Sequence, residues 1–180
     1  DGPVLVVADP ALDAGLDLPR LPAAAFEGRA IARELAPRAV ELLAGRDATE
    51  TRVRRAMPRA SVVHFATHGV VSDTAPWTSY LALGHDAGGD DADGQLRAGE
   101  LYALRLSADL VVLGACRTAT GPLTGDGITG LARGFFAAGV PVVVASLWDL
   151  PDATTARMQP MFYRQWKTSG SAATALRDAQ

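Results

Sequence analysis

Cysteine is almost absent from this chain of 180 residues, which contains a single one, Cys116. One cysteine cannot form an internal disulfide, so nothing requires an oxidising compartment. Long hydrophobic runs are also missing, because none reaches the roughly 18 residues that a membrane-spanning helix needs. Nor is there a basic excess: 17 Lys and Arg stand against 20 Asp and Glu. These absences disfavour membranes and nucleic acids as partners, and we expect a cytoplasmic location.

The chain does have enough apolar sequence for one sizeable core. Hydrophobic residues make up 48% of it, and a single domain of this length buries about 70% of its extended surface. It begins at Asp1 without a methionine and ends at Gln180 inside a helical pattern. We therefore expect one domain, residues 1–180, cut from a longer protein.

Apolar strand-like runs alternate with helical patterns along the chain. Such runs occur at 4–8, 110–113 and 140–147. A helix is predicted from Pro22 to Ala36, with Phe26 and Ile31 among its apolar positions and Glu27 on a solvated face. Strands separated by helices predict an α/β fold with a mostly parallel sheet covered on both sides.

Two predicted strands end in side chains that can perform chemistry. The run 110–113 leads through two small residues to Cys116, and the run around His64 leads to His68 and Gly69. If these strands are parallel neighbours, the thiol and the His68 imidazole emerge at one edge of the sheet, where sites of open α/β sheets gather. Such a pair is a candidate nucleophile and base, because an unassisted thiol is little ionised at neutral pH. The alternative is an inert, buried cysteine.

Two metal-site patterns are incomplete. His64 and His68 are four residues apart, but the H-E-x-x-H zinc motif needs a helix and a glutamate where Phe65 stands. We therefore interpret His64 as structural and His68 as functional. The acidic loop at 85–94 resembles part of a calcium loop, but Gly89 occupies the position of the first ligand. No metal or other cofactor is expected.

Longer blocks of sequence resemble a known family. His68 precedes Cys116 by 48 residues, a spacing similar to that of caspases. Four ordered blocks together resemble a CHAT domain: His64–Gly69, Asp109–Ala119, Gly125–Arg133 and Val143–Asp152. CHAT domains are caspase-like and separase-like cysteine peptidases, often joined to tetratricopeptide repeats. The resemblance extends over nearly the whole chain and implies a caspase-like three-layer α/β/α sandwich.

The resemblance also implies roles for single residues. It makes Cys116 the nucleophile and His68 the acid and base, with the backbone N–H groups of Gly69 and Cys116 as the oxyanion site. The pocket for the residue before the scissile bond is implied along Ser146, Trp148, Asp149 and Asp152. A carboxylate there favours Arg or Lys, with Asp152 our first choice and Asp149 our second. Either aspartate could instead stabilise the start of the following helix.

We therefore predict a cysteine endopeptidase that cleaves protein or peptide substrates after a basic residue. A tetratricopeptide-like regulatory domain of the parent protein is the expected partner. Two positions depart from the family pattern: Gly114 stands where serine is usual, and Arg117 stands where an acidic residue is common. Arg117 could lower the pKa of the neighbouring thiol or repel a basic substrate. The alternative function is a catalytically silent or latent module that binds partners or scaffolds an assembly.

Overall fold

A parallel sheet forms the centre of the fold. The computed structural model describes residues 2–86, 92–114, 126–146 and 151–180, with the backbone alone for 126–129. Within these ranges the sheet has five parallel strands: β1 Val4–Pro10, β2 Val40–Gly45, β3 Val62–Ala66, β7 Leu110–Leu113 and β8 Val143–Ala145. Their order across the sheet is β2-β1-β3-β7-β8. The histidine strand and the cysteine strand are parallel neighbours, since β3 pairs directly with β7, and the condition for bringing their ends to one edge of the sheet is met.

Helices connect most of these strands. They are α1 Pro22–Leu35, α2 Glu50–Ala56, α3 Ala98–Leu101, α4 Asp126–Ala137, α5 Asp152–Ser169 and α6 Ala172–Ala179. Local sequence explains several of their ends: Pro22 stands at the first position of α1, and the side chains of Thr49 and Ser171 cap α2 and α6. No helix in the described part of the chain is long and apolar enough to cross a membrane.

Alternation along the strands divides the core into two layers. Odd-numbered residues of β1 and β3, such as Val7 and Phe65, pack with α2, α3 and α4 on one face of the sheet. Even-numbered residues, such as Val6 and Val62, pack with α1, α5 and α6 on the other face. The result is a three-layer α/β/α sandwich with a parallel central sheet, so the predicted caspase-like fold class is confirmed.

Helix α1 is rotated relative to our expectation. Phe26 is 57% exposed, whereas Glu27 is 1% exposed and faces the core. The prediction for these two residues was therefore wrong, because a charged residue is normally assigned to solvent unless a partner is known. The rotation turns Gly28 to the sheet, where an added Cβ would lie 2.8 Å from the Cβ of Ala8. Glycine thus allows α1 to approach β1 closely and brings Glu27 over the sheet.

A second, small sheet was not anticipated. Its three antiparallel strands are β4 Gly69–Val70, β5 Tyr80–Ala82 and β6 Gln95–Arg97, in that order. The run Tyr80–Gly84, which contains β5, is strand-like in sequence, but β4 and β6 are too short to show the alternation by which a strand is recognised. Its first strand begins at Gly69, directly after His68, so only residues 67 and 68 separate the small sheet from β3.

Substitution of Gly130 tests the packing of α4 against the segment that contains Pro76. A Cβ at position 130 would lie 2.5 Å from the carbonyl oxygen of Pro76. We expect Gly130→Ala to lower the free energy of unfolding by about 1–3 kcal/mol, because the contact is with backbone that cannot rotate away. Urea denaturation measures the change. Ala137→Ser on the exposed side of the same helix is the control, and an equal effect in both variants would contradict this packing.

Candidate active site

Two hydrogen bonds fix the backbone around His68. The hydroxyl of Thr67 donates to the carbonyl oxygen of Ala82 at 2.6 Å. The N–H of Ala82 in turn donates to the carbonyl oxygen of His68 at 2.8 Å. The small sheet therefore holds the chain at the carboxyl end of β3, the edge at which sites of α/β proteins form.

The His68 ring has two different nitrogen environments. Nε2 lies 2.7 Å from the carbonyl oxygen of Pro19, and a carbonyl oxygen can only accept, so Nε2 carries the proton. In the neutral ring Nδ1 then has a free lone pair. Nδ1 is buried and has no hydrogen-bond partner among the described residues. The ring is thus held with Nδ1 ready to accept a proton.

The strand that leads to Cys116 ends beside the histidine strand. Leu113, the last residue of β7, pairs with Phe65 of β3, and the N–H of Gly114 donates to the carbonyl oxygen of Phe65 at 2.8 Å. The described chain therefore reaches the same sheet edge as His68 and stops two residues before Cys116. Cys116 itself lies outside the described residues, as do Arg117, Trp148 and Asp149.

The N–H of Gly69 points away from the neighbouring strand β5. Gly69 is paired with Leu81, and the hydrogen bond from Ala82 to His68 shows that the pair is of the non-hydrogen-bonded kind. In an antiparallel ladder the N–H groups of such a pair face outward. This orientation leaves the Gly69 N–H without a role in the β4–β5 ladder. Gly69 directly follows His68 in the sequence.

Asp152 joins the beginnings of two helices. It is the first residue of α5, and its Oδ2 accepts the N–H of Ala23 in the first turn of α1 at 2.8 Å. The other oxygen, Oδ1, is buried and has no hydrogen-bond partner among the described residues. Burial raises the pKa of this carboxyl, and the nearby charges of Glu27 and Asp9 raise it further. Asp152 therefore caps α1 through this hydrogen bond and also stands in the first turn of α5, where a carboxylate favours the helix dipole.

Ser146 also lies at the carboxyl edge of the sheet. It directly follows β8, which pairs with the cysteine strand β7, and it is half-buried. Ser146 and Asp152 are thus the two predicted pocket residues that the structure describes, one at the end of strand β8 and the other at the start of α5.

Glu27 and Tyr163 form a buried polar cluster with His64 that sequence reasoning missed. Nε2 of His64 lies 2.9 Å from Oε1 of Glu27, and Nδ1 lies 3.2 Å from the hydroxyl of Tyr163. Both ring nitrogens are thereby occupied inside the α1–α5 layer, and burial raises the pKa of the Tyr163 phenol well above its ordinary value. His64 thus has no free nitrogen for catalysis. The only sequence signal was the histidine within an apolar strand, which requires a buried partner.

The same cluster lies directly under the end of β7. A Cβ added to Gly114 would be 2.9 Å from Oε1 of Glu27 and 3.2 Å from Cε1 of His64. Any larger residue at 114 in this conformation would therefore press on the pair. No group of three or more potential metal ligands occurs in the part of the chain that the structure describes.

Comparison with known proteins links this fold to one family. The family model described as CHAT domain matches residues 1–180. The chain is also similar to tetratricopeptide repeat protein 28 of Homo sapiens, with 32% identity in an alignment that covers 76% of this chain and 7% of the relative. The Mus musculus protein of the same name is 30% identical with the same coverage. The chain therefore spans a small part of the length of these curated relatives.

Proposed function

The chain belongs to the CHAT domain family, which is related to caspase-like cysteine peptidases, and we propose that it is itself a cysteine endopeptidase. Cys116 is the nucleophile and His68 is the general base and acid. The observation that carries the proposal is the His68 ring, whose Nε2 is held by the carbonyl oxygen of Pro19 while its Nδ1 has no hydrogen-bond partner among the described residues. This ring lies at the sheet edge to which β7 delivers the chain toward Cys116.

The reaction follows from these positions. Nδ1 of His68 takes the proton of the Cys116 thiol, and the thiolate attacks the carbonyl carbon of the scissile peptide bond. The N–H groups of Gly69 and Cys116 donate to the oxyanion of the tetrahedral intermediate. His68 then returns its proton to the leaving amine, which departs as the C–N bond breaks. Water, deprotonated by His68, hydrolyses the thioester and restores the thiol.

We place the pocket for the residue before the scissile bond near Ser146, Trp148, Asp149 and Asp152. Asp152 supports this assignment because one of its carboxylate oxygens is buried without a hydrogen-bond partner among the described residues. A buried carboxylate of this kind gains from a guanidinium or ammonium group that supplies the missing donor. The enzyme therefore prefers Arg or Lys at this substrate position.

Two peptide electrophiles with the same reactive group test the proposal. One ends in Arg and the other in Asp, and intact mass reports labelling of the wild type and of Cys116→Ala. We expect Cys116-dependent labelling by the Arg probe alone. Labelling by the Asp probe instead would retain the nucleophile and overturn the acidic pocket. No labelling by either probe would favour the catalytically silent module.

Asp152→Asn separates charge from capping. The amide oxygen of Asn can still accept the N–H of Ala23, so the start of α1 is preserved while the charge is lost. We expect labelling by the Arg probe to fall by about 10-fold or more, with alkylation of Cys116 by neutral iodoacetamide unchanged. Asp149→Asn provides the parallel variant, since it is our second choice. Equal loss of both kinds of labelling would indicate a structural role.

The pH dependence of labelling gives a second test of Asp152. A carboxyl group with a raised pKa becomes neutral at a higher pH than an ordinary aspartate. As the pH falls, the preference of the wild type for the Arg probe over a neutral probe should therefore decline before ordinary aspartates titrate. This decline should be absent from Asp152→Asn.

Control of the peptidase by a tetratricopeptide-like domain of the parent protein is part of the proposal. It is supported by the curated relatives, which are named as tetratricopeptide repeat proteins. The His68 ring is 1% exposed, so movement of the chain around it would improve its access to a peptide. A regulatory domain that moves this chain would switch the enzyme on.

A further inference from the structure

An ion pair lies beside the His68 base, and we propose that Asp9 is the positioning residue that keeps His68 in its reactive tautomer. Asp9 acts through Arg20 and the carbonyl oxygen of Pro19 and does not itself touch the thiol or the substrate. This inference rests on the proposed function of His68 and names a further residue on which that function depends. Asp9, Pro19, Arg20 and His68 line one cleft at the carboxyl edge of the sheet.

The backbone of β1 directs the Asp9 side chain to this place. The register between β1 and β2 shifts at Asp9, which is the extra residue between the pairs Ala8–Ala44 and Pro10–Gly45. Asp9 has a φ of 43°, in the left-handed region that non-glycine residues rarely adopt. A bulge of this kind turns a side chain out of the regular alternation and is common next to active sites. The strained conformation persists where surrounding contacts require it.

The contact that requires it is a two-point ion pair. Nε and Nη2 of Arg20 donate to Oδ1 and Oδ2 of Asp9 at 3.1 and 2.5 Å. The carboxylate is 9% exposed, although the Arg20 side chain is 70% exposed. The buried partner cannot exchange Arg20 for water freely, and the planar fork of arginine fixes the direction of approach.

The ion pair matters because little else holds the Pro19 carbonyl. Residues 18–20 make no backbone–backbone hydrogen bond within the described part of the chain. Pro19 and Arg20 are both exposed, so core packing does not fix them. Among the described residues, the hydrogen bond to His68 and the ion pair to Asp9 are therefore the polar contacts that locate this carbonyl oxygen. Loss of the ion pair frees the acceptor that keeps the proton on Nε2 of His68.

Substitutions on both sides of the ion pair test the inference. Asp9→Asn keeps a residue that tolerates a positive φ but removes the charge. Arg20→Met removes the other partner at an exposed position where the fold does not depend on it, and Arg20→Lys keeps the charge without the fork. We expect Asp9→Asn and Arg20→Met to lower kcat by about 10- to 100-fold, a range typical of groups that orient a functional imidazole through its second nitrogen. Arg20→Lys should recover part of the loss, with KM for an Arg peptide unchanged.

The double variant Asp9→Asn with Arg20→Met distinguishes one unit from two separate effects. If the residues act only through each other, the double variant is no slower than either single variant. Glu34→Gln is the matched control, because Glu34 also accepts two donors of one arginine, Arg164, near the far end of α1. Its kcat should equal that of the wild type.

The protonated nitrogen of His68 gives a readout that does not require catalysis. Imidazole ¹⁵N chemical shifts should show the proton on Nε2 in the wild type and an exchange between Nε2 and Nδ1 in Asp9→Asn and Arg20→Met. If the wild type fails to label with either peptide electrophile but shows this change, the proposed peptidase function is wrong and the positioning role of Asp9 stands. If both variants retain the wild-type ¹⁵N shifts, the positioning role is wrong, whatever their activity.

Discussion

Replacing His68 with alanine is expected to lower turnover by roughly 10⁴-fold or more, and Cys116→Ala should abolish it. The two residues act as a unit, because the thiolate forms only when Nδ1 removes its proton. The double variant should consequently be no worse than Cys116→Ala. The measurement is hydrolysis of an Arg peptide, together with the rate of alkylation of the single cysteine by iodoacetamide across the pH range in which thiols titrate.

The chain contains its own control for this experiment. It has three histidines, and His85 is exposed, so His85→Ala should retain wild-type turnover. Because Cys116 is the only cysteine, every alkylation event reports on that one thiol. Wild-type turnover in His68→Ala would remove the histidine from the mechanism. A normal unfolding transition in Cys116→Ala would show that its loss of activity does not come from loss of the fold.

The second large effect is expected on stability rather than activity. Glu27→Ala leaves Nε2 of His64 buried without an acceptor, since both side chains are almost completely shielded from solvent. Leaving a buried hydrogen-bond donor without its acceptor typically costs about 1–3 kcal/mol, so we expect Glu27→Ala to lower the free energy of unfolding by that amount. Glu27→Gln should cost less, because its amide oxygen can still accept from Nε2. Urea denaturation of the two variants measures the difference.

Glu34 again offers the comparison on the same helix. Its partner Arg164 is largely exposed, and pairs of this kind contribute about 0–1 kcal/mol. Glu34→Ala should therefore change the free energy of unfolding by less than about 1 kcal/mol. An equal loss in Glu27→Ala and Glu34→Ala would mean that the buried pair with His64 makes no special contribution.

Strand and helix order could be predicted because it depends on local patterns. The runs that became β1 and β7 are continuously apolar, as buried parallel strands are, and Thr49 and Ser171 are residues that cap helices. The rotation of α1 could not be predicted in this way. Its direction depends on the close contact of Gly28 with Ala8 and on the pairing of Glu27 with His64, and these residues are distant in sequence.

In the candidate site, too, some residues could be predicted from local sequence and others depend on contacts between distant segments. The likeness of the His64–Gly69 block and the Cys116 block to a CHAT domain made His68 and Cys116 visible as a dyad. It gave no indication of Pro19, whose carbonyl oxygen contacts the His68 ring, or of Asp9 and Arg20, which line the same cleft. Their contribution comes from a backbone carbonyl and a bulge, and neither has a residue-type signature. The placement of Cys116 and Asp149 stays a prediction.

The sequence by itself determined the α/β class, the two strands that lead to His68 and Cys116, and the choice of these two residues for the proposed chemistry. These features follow from hydrophobic periodicity and from short motifs, which are properties of contiguous residues. The tertiary structure decided which ring nitrogen of His68 meets the carbonyl oxygen of Pro19, that both ring nitrogens of His64 are occupied by Glu27 and Tyr163, and that Asp152 caps α1. Those outcomes depend on contacts between segments far apart in the chain, where distance and direction rather than residue type decide the chemistry.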